Sequence, residues 1–143
     1  DAPPEWRVLL RQFWEGPDSF RNERFKLITR FVDAPWVIRQ SVGSKPALLG
    51  RKLRQRYFRG PHYLEVDIDL SSSPTAARIL SMVRGLSSRV GVDMAVAVEG
   101  RSEEELRERL VCATRYQGLS MAAARPWPPP PEEGGAAAGE AKA

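Results

Sequence analysis

Three acidic side chains occur at alternate positions in one short stretch of this sequence, at Glu65, Asp67 and Asp69. In a β-strand they would project from one face, because successive side chains of a strand point to opposite sides. Carboxylates grouped in this way are typical of a metal site or of acid–base chemistry. They are also typical of a solvated row of charges, and the residues that precede them favour this second interpretation.

Five positive charges lie in the nine residues before Gly60-Pro61, a dipeptide that marks a turn: Arg51, Lys52, Arg54, Arg56 and Arg59. A turn centred on Gly60-Pro61, or a four-residue loop over 59–62, predicts a hairpin in which charge meets opposite charge and apolar meets apolar. Its opposed pairs are Arg56 with Glu65, Arg54 with Asp67, Lys52 with Asp69, Tyr57 with Leu64 and Leu53 with Ile68. Each cross-strand pair contributes about 0.2–1 kcal/mol. Because these charges neutralise each other, the hairpin disfavours both a metal site and a nucleic-acid surface.

The remaining reactive side chains form no catalytic set. The chain has one cysteine, Cys112, and one histidine, His62, so an internal disulfide is excluded and a Cys/His metal cluster is disfavoured. Asp93 stands among apolar residues, where a hydrogen bond to the backbone and a functional role are both open. No phosphate-binding or nucleophile motif is present. The sequence therefore predicts no enzyme and no cofactor.

The composition is that of one soluble globular domain. The chain has 143 residues, 42% hydrophobic and 28% charged, with a net charge of +4. This basic balance weakly favours anionic partners. No apolar run approaches the length of a membrane-spanning helix, no signal peptide is visible, and the lone cysteine fits a reducing compartment. We therefore expect a cytoplasmic protein that can associate peripherally with a membrane. Since the chain begins at Asp1, we expect a piece of something longer.

The hydrophobic patterns predict an α+β fold, with an antiparallel sheet of about five strands and two or three helices packed on one face. Helices are expected over 4–14, from the Ser73-Pro74 cap to about 90, and from the capping box at Ser102–Glu105. Strands are expected at 24–32, 36–42, 48–58, 63–70, 92–98 and 117–122. This single domain covers 1–124. The Pro/Ala/Gly-rich segment 125–143 is expected to be disordered, and Pro128–Pro131 leave open a polyproline-binding partner.

Several segments, in order along the chain, resemble one plant family, the C-terminal domain of the Enhanced Disease Resistance 2 protein. The segments are FRNERFKLI from Phe20, WVIRQSVG from Trp36, PALLG from Pro46, YFRGPHYLEVDID from Tyr57, SSS from Ser71, VDM from Val92 and EELRERL from Glu104. The resemblance covers about residues 5–122, and this chain looks like the latter part of a longer family domain. It implies a plant or algal protein.

In relatives this domain often accompanies a pleckstrin-homology domain and a StAR-related lipid-transfer domain. The resemblance therefore implies a non-enzymatic module that binds lipid or a membrane surface, with links to lipid sensing or transfer and to defence or cell-death signalling. The expected partner is an anionic phospholipid or phosphoinositide surface, not nucleic acid. The candidate headgroup ligands are Arg39, Arg59, Arg21, Arg24, Lys26, Lys45 and Arg51.

Arg39 and Arg59 are the most interesting of these cations. Arg39 alternates with apolar residues of a predicted strand and is placed to line a cavity, while the hairpin leaves Arg59 without an opposed acid. For each of the seven cations, an ordinary solvated surface charge is the competing interpretation. The competing function is a structural or protein-interaction domain without a ligand of its own, which would use the helix that carries Trp6 and Phe13.

Overall fold

The strands of this protein form a four-stranded antiparallel sheet and a separate two-stranded hairpin. A computed structural model describes residues 3–42, 45–106 and 108–124, where these six strands are joined by four α-helices. The predicted α+β class is confirmed, and the predicted tail 125–143 lies outside the described residues. The elements are α1 (Pro4–Glu15), α2 (Asp18–Arg24), β1 (Phe25–Asp33), α3 (Trp36–Val42), β2 (Ala47–Leu48), β3 (Arg54–Arg59), β4 (Leu64–Asp69), α4 (Pro74–Leu86), β5 (Gly91–Val98) and β6 (Leu110–Gln117).

The four-stranded sheet has the order β2-β1-β5-β6 and presents two different faces. Along β1 and β5, one face carries the opposed pairs Phe25–Val98, Leu27–Val96, Thr29–Met94 and Phe31–Val92. We call it the core face, because helices and the hairpin pack against it. The other, the open face, carries the pairs Lys26–Ala97, Ile28–Ala95 and Arg30–Asp93.

Two separate hydrophobic clusters form on the core face. The first contains the buried residues Leu9, Phe13, Phe25 and Val98, and the hairpin packs against it. The second contains Ala34, Ile38 and Val90, with the C-terminal half of α4 packed against it through Met82, Val83 and Leu86. Since Phe25 and Phe31 belong to different clusters, the middle of β1 lies between the two cores.

The predicted hairpin is present, but its predicted register was wrong by two residues. Arg54 lies opposite Asp69 and Arg56 opposite Asp67, while Glu65 lies opposite Phe58. The reason is the loop, which runs from Gly60 to Tyr63 and is closed by the Gly60 N–H donating to the Tyr63 carbonyl at 3.0 Å. A shift of two residues keeps every side chain on its own face, so Arg54 and Arg56 still oppose acids, while Glu65 loses its predicted partner. Arg54 and Asp69 form an ion pair at 3.7 Å.

The segment predicted as the strand 36–42 is the helix α3. Its first turn follows Pro35, whose carbonyl accepts hydrogen bonds from the amides of Ile38 at 3.0 Å and Arg39 at 3.3 Å. Ile38 is fully buried, whereas Trp36 is 74% exposed. Trp36 and Ile38, which suggested the alternation, therefore do not share a face, because Ile38 reaches the core and Trp36 does not.

The helix predicted after the capping box was also wrong. Only a 3-10 turn forms, over Glu103–Glu105, and β6 follows it. The Glu105 carboxylate accepts from Arg24 at 2.7 Å, from the backbone amide of Arg101 at 2.8 Å and from the backbone of Ser102. The Ser102 side chain makes no cap hydrogen bond, so only the Glu105 half of the capping box forms. The strand predicted at 117–122 is replaced by a 3-10 turn over Met121–Ala123, and α2 was not predicted.

Two charged clusters lie at opposite ends of the open face. At one end, Asp93 accepts from Arg30 at 2.9 Å and from Arg115 at 2.6 and 3.0 Å, three residues that are direct neighbours across β1, β5 and β6. At the other end, Lys26 forms ion pairs with Glu99 and, at 2.6 Å, with Glu108. Asp93 therefore serves as the acid between two arginines, in place of the backbone hydrogen bond considered from the sequence.

The Asp93 cluster predicts a specific pH dependence of stability. Hydrogen bonds from Arg115, which contributes most, and from Arg30 lower the pKa of Asp93 from 3.8 to about 2. The pKa is lower in the folded protein, so the stabilisation is complete above pH 3.8 and is lost as the pH falls towards 2. Thermal melts of the protein and of Asp93→Asn should therefore differ most at neutral pH and converge near pH 2. A constant difference across this range would contradict the ion-pair assignment.

Candidate functional site

A groove separates the N-terminal half of α4 from the core face of the sheet. It has a volume of about 540 Å³, which is within the size range of small-ligand sites. It occupies the gap between the two hydrophobic clusters, because Leu27 and Thr29 of β1 form its floor. Its other lining residues come from the 45–53 segment and from α4: Lys45, Ala47, Leu49, Lys52, Leu53, Ser73, Thr75, Ala76 and Ile79.

The groove exists because α4 is anchored at one end. The C-terminal half of the helix packs on the second cluster through Met82, Val83 and Leu86. The N-terminal half begins at Pro74, where the Ser73 hydroxyl accepts from the Ala76 amide at 3.4 Å. Ala76 and Ile79, one turn apart, then face the groove. The side chain of Ala76 is too short to reach across it.

The wall opposite α4 is a short turn that the hairpin prediction did not anticipate. Leu49–Arg51 form a 3-10 turn, and the Leu53 amide donates to the Leu49 carbonyl at 2.8 Å. This turn brings Leu49 and Leu53 to the same side, where both line the groove. It also places Lys52 at the groove and outside the hairpin ladder to which the sequence assigned it.

The lining combines apolar and cationic groups. Leucine and isoleucine side chains supply an apolar interior, while Lys45 and Lys52 are exposed and supply positive charge. Within the described part of the chain, neither lysine is in an ion pair. Such a site can hold an amphiphile that has an apolar chain and an anionic head, since each part then meets a complementary surface.

Of the seven cations predicted from the sequence as headgroup ligands, the groove contains Lys45. Arg21 is buried: it donates to the carbonyls of Phe13 at 2.9 Å and Trp14 at 2.7 Å, and to Asp18 at 2.7 Å. Its guanidinium also lies over the Tyr57 ring, 5.3 Å from the centroid. The arrangement joins the end of α1 to α2 and the hairpin.

Three more of the predicted cations are engaged with acids of the chain. Arg24 and Lys26 hold the 99–108 loop through their bonds to Glu105 and Glu108, and their side chains are 12% and 15% exposed. Arg51 pairs with Glu23 at 2.6 Å. Two hydrogen bonds lower the pKa of the Glu23 carboxyl, the one from Arg101, which contributes more, and the one from Arg51.

The last two predicted cations are exposed and lie apart from the groove lining. Arg39 was expected on a strand beside a cavity, but it lies in α3, where it donates to the Ala34 carbonyl at 3.0 Å. Arg59 ends β3 and lies opposite Leu64. The structure therefore does not gather the predicted cations into one site, and a headgroup role for any of them stays a prediction.

Lys52 is the residue that sequence reasoning missed. The signal that could have found it is the spacing of Leu49 and Leu53, four residues apart, which is typical of a helical turn and not of a strand. Ser73 and Thr75 also line the groove, and of these only Ser73 was considered from the sequence, as a helix cap.

The described ranges offer neither a metal centre nor a membrane-spanning helix. No group of three or more His, Cys, Asp or Glu residues there is placed to hold a metal ion. No helix in those ranges has both the length and the apolar character needed to cross a bilayer.

The comparisons with known proteins agree with the resemblance in the sequence. The family model for "Protein ENHANCED DISEASE RESISTANCE 2, C-terminal" matches residues 2–120. A curated relative, "Protein ENHANCED DISEASE RESISTANCE 2-like" from Arabidopsis thaliana, is 43% identical over 116 residues, which are 81% of this chain and 16% of the relative. The chain thus spans about a sixth of that relative's length, and no solved structure matches it. The chain belongs to the family of C-terminal domains of the ENHANCED DISEASE RESISTANCE 2 protein.

Proposed function

We propose that this chain is a non-enzymatic lipid-binding module whose site is the groove between α4 and the sheet. The observation that supports the proposal is the combination of apolar lining residues, Leu27 of the floor and Leu49 of the wall, with two lysines, Lys45 and Lys52. An acyl chain would lie against the leucines, and an anionic headgroup would lie at the lysines. The protein would then meet an anionic phospholipid or phosphoinositide surface from the cytoplasmic side.

A role in lipid sensing or transfer, linked to defence or cell-death signalling, follows as part of this proposal. The name of the Arabidopsis relative refers to disease resistance, and most of that protein lies outside the matched region. A module that binds lipid would supply membrane attachment or cargo to such a larger protein. The open edge of β6 and the exposed Trp36 support the competing function, a protein-interaction domain without a ligand.

The double variant Lys45→Ala/Lys52→Ala tests the headgroup end of the groove. Each lysine near an anionic surface contributes about 1 kcal/mol, so we expect binding to fall at least about tenfold. Co-sedimentation with phosphatidylcholine vesicles, with and without phosphatidic acid, measures the loss. Arg78→Ala/Arg89→Ala removes the same charge from two exposed positions outside the groove and is the matched control. Equal losses in both double variants would show a general charge effect and contradict a groove site.

The variant Ala76→Trp tests the apolar part of the groove. An indole at this position would fill the space in front of Leu27 and Ile79, so we expect lipid to be absent from the protein in native mass spectrometry. Ala77→Trp is the control, because Ala77 lines a separate surface depression with Ser71 and Arg84. Retention of lipid by both variants, or by neither, would contradict binding inside the groove.

A further inference from the structure

The strand β6 is an exposed edge of the sheet. All eight of its residues, Leu110–Gln117, are exposed, and within the described ranges no strand pairs with its outer side. Proteins usually protect such edges with lysine, proline or inward-pointing charge. β6 carries one charged residue, Arg115, and no proline, and the irregularity in its pairing with β5, at Val111, lies next to its first residue. A long, nearly uncharged edge of this kind is a template for pairing with another strand.

The open face beside β6 has an apolar centre between charges of opposite sign. A trough of about 590 Å³ is lined by Ile28, Ala95, Leu110 and Ala113. The Arg30–Asp93–Arg115 cluster at one end carries one net positive charge. The Lys26–Glu99–Glu108 cluster at the other end carries one net negative charge. The open face therefore has a positive end and a negative end, separated along the strand direction.

We propose that β6 pairs antiparallel with β6 of a second copy of this chain, about a two-fold axis that is perpendicular to the sheet. The two four-stranded sheets would then form one continuous sheet of eight strands. Rotation about this axis keeps the open faces of both copies on the same side and reverses the strand direction. The positive end of each open face then lies beside the negative end of its partner's, so the surface is complementary to itself, as an isologous interface requires.

The charges also select the register. With Ala113 at the axis, Cys112 lies opposite Thr114 of the partner subunit, and each Arg115 lies two positions from the axis. The two Arg115 residues are then four positions apart along the strands, about 13 Å, which is more than the screening length of about 8 Å at physiological salt. An axis at Thr114 would halve this separation. Ala113 is also small and lies on the open face between Leu110 and Arg115, so the axis crosses the apolar part of the trough.

The first test is the mass of the full chain in sedimentation equilibrium over a range of concentrations. We expect a concentration-dependent dimer, and we expect Ala113→Lys to be monomeric, because it places two like charges directly opposite each other. Gln40→Lys adds the same charge on an exposed position of α3 and should leave the dimer intact. Circular dichroism melts establish that each variant is folded. A wild-type chain that is monomeric at every concentration, or an Ala113→Lys variant that still dimerises, would overturn the proposal.

The second test measures the register by cross-linking. In a Cys112→Ser background, Ala113→Cys places two cysteines opposite each other, with Cα atoms about 4.5–5.5 Å apart, which suits a disulfide. We expect this variant to form a covalent dimer under mild oxidation. Thr114→Cys in the same background is the control, because its two copies are diagonal neighbours at about 7–8 Å. Equal cross-linking of the two variants, or stronger cross-linking at position 114, would overturn the pairing about Ala113.

Discussion

Replacement of Arg21 by leucine is expected to lower the free energy of unfolding by about 3 kcal/mol. The guanidinium donates to two carbonyls at the end of α1, those of Phe13 and Trp14, and the residue is only 6% exposed. A hydrogen bond from a charged group to a buried acceptor contributes about 1.5–3 kcal/mol. The third bond, to Asp18, adds less, because that carboxylate is 61% exposed. Urea unfolding followed by fluorescence measures the loss.

The effect is large because no other group can replace the guanidinium. The last carbonyls of a helix lack partners within the helix, and here the fork of one arginine satisfies two of them at once. Lysine would keep the charge but could not make both bonds with the same geometry. We therefore expect Arg21→Lys to recover only a minor part of the stability lost in Arg21→Leu.

The same variants separate the two roles that have been considered for Arg21. If it holds α1 in place, Arg21→Leu unfolds at lower urea, while Arg11→Leu, on an exposed position of α1, does not. If it binds a lipid headgroup, Arg21→Leu would lose vesicle binding at unchanged stability. That second pattern would contradict the structural role.

Elements with a clear hydrophobic period were predictable from the sequence. The spacing of Leu9 and Phe13 indicates α1, and the Ser73-Pro74 cap indicates the start of α4. Alternation over 24–32 and 92–98 indicates β1 and β5, the two central strands. In each of these elements the buried face is determined by its own residues, so local patterning and tertiary packing agree.

Other elements depend on partners that are distant in the sequence. β6 is exposed along its whole length, so it has no buried period, and what makes it a strand is its pairing with β5. In α3, Ile38 is buried and Trp36 is exposed, so the alternation that suggested a strand does not correspond to one buried face. The hairpin register changed by two residues because the loop closes on Tyr63, and this shift leaves the pattern of faces unchanged.

The candidate site was predictable only in part, for a related reason. The sequence predicted seven cations as headgroup ligands, but it does not show which of them are engaged by acids. Arg24 and Lys26, for example, bind Glu105 and Glu108, which are 81 and 82 residues away along the chain. Lys45 was among the predicted ligands and lies at the groove. Lys52 was not, because the predicted hairpin paired it with Asp69. The turn that places Lys52 at the groove depends on a close contact of Gly50.

Replacement of Gly50 by alanine is expected to lower the free energy of unfolding by about 3 kcal/mol. A Cβ atom at this position would overlap the carbonyl oxygen and the Cα of Asn22, and it would lie 2.6 Å from Oε1 of Gln55. The Asn22 atoms belong to the backbone of α2, so the clash cannot be relieved by a rotamer change. Either α2 or the Leu49–Arg51 turn must move. Thermal and urea unfolding measure the cost.

Gly85→Ala is the matched control, because it makes the same chemical change where a Cβ would meet nothing within 4 Å. Gly85 lies in the last turn of α4, where alanine is expected to stabilise the helix by up to about 1 kcal/mol. The two substitutions should therefore shift the unfolding midpoint in opposite directions. The Gly50 variant should also lose lipid binding under conditions in which it is still folded, because the displaced turn carries Leu49, Lys52 and Leu53 of the groove wall. Equal and small effects at both glycines would contradict the close packing of this turn on α2, and with it the wall on which the groove depends.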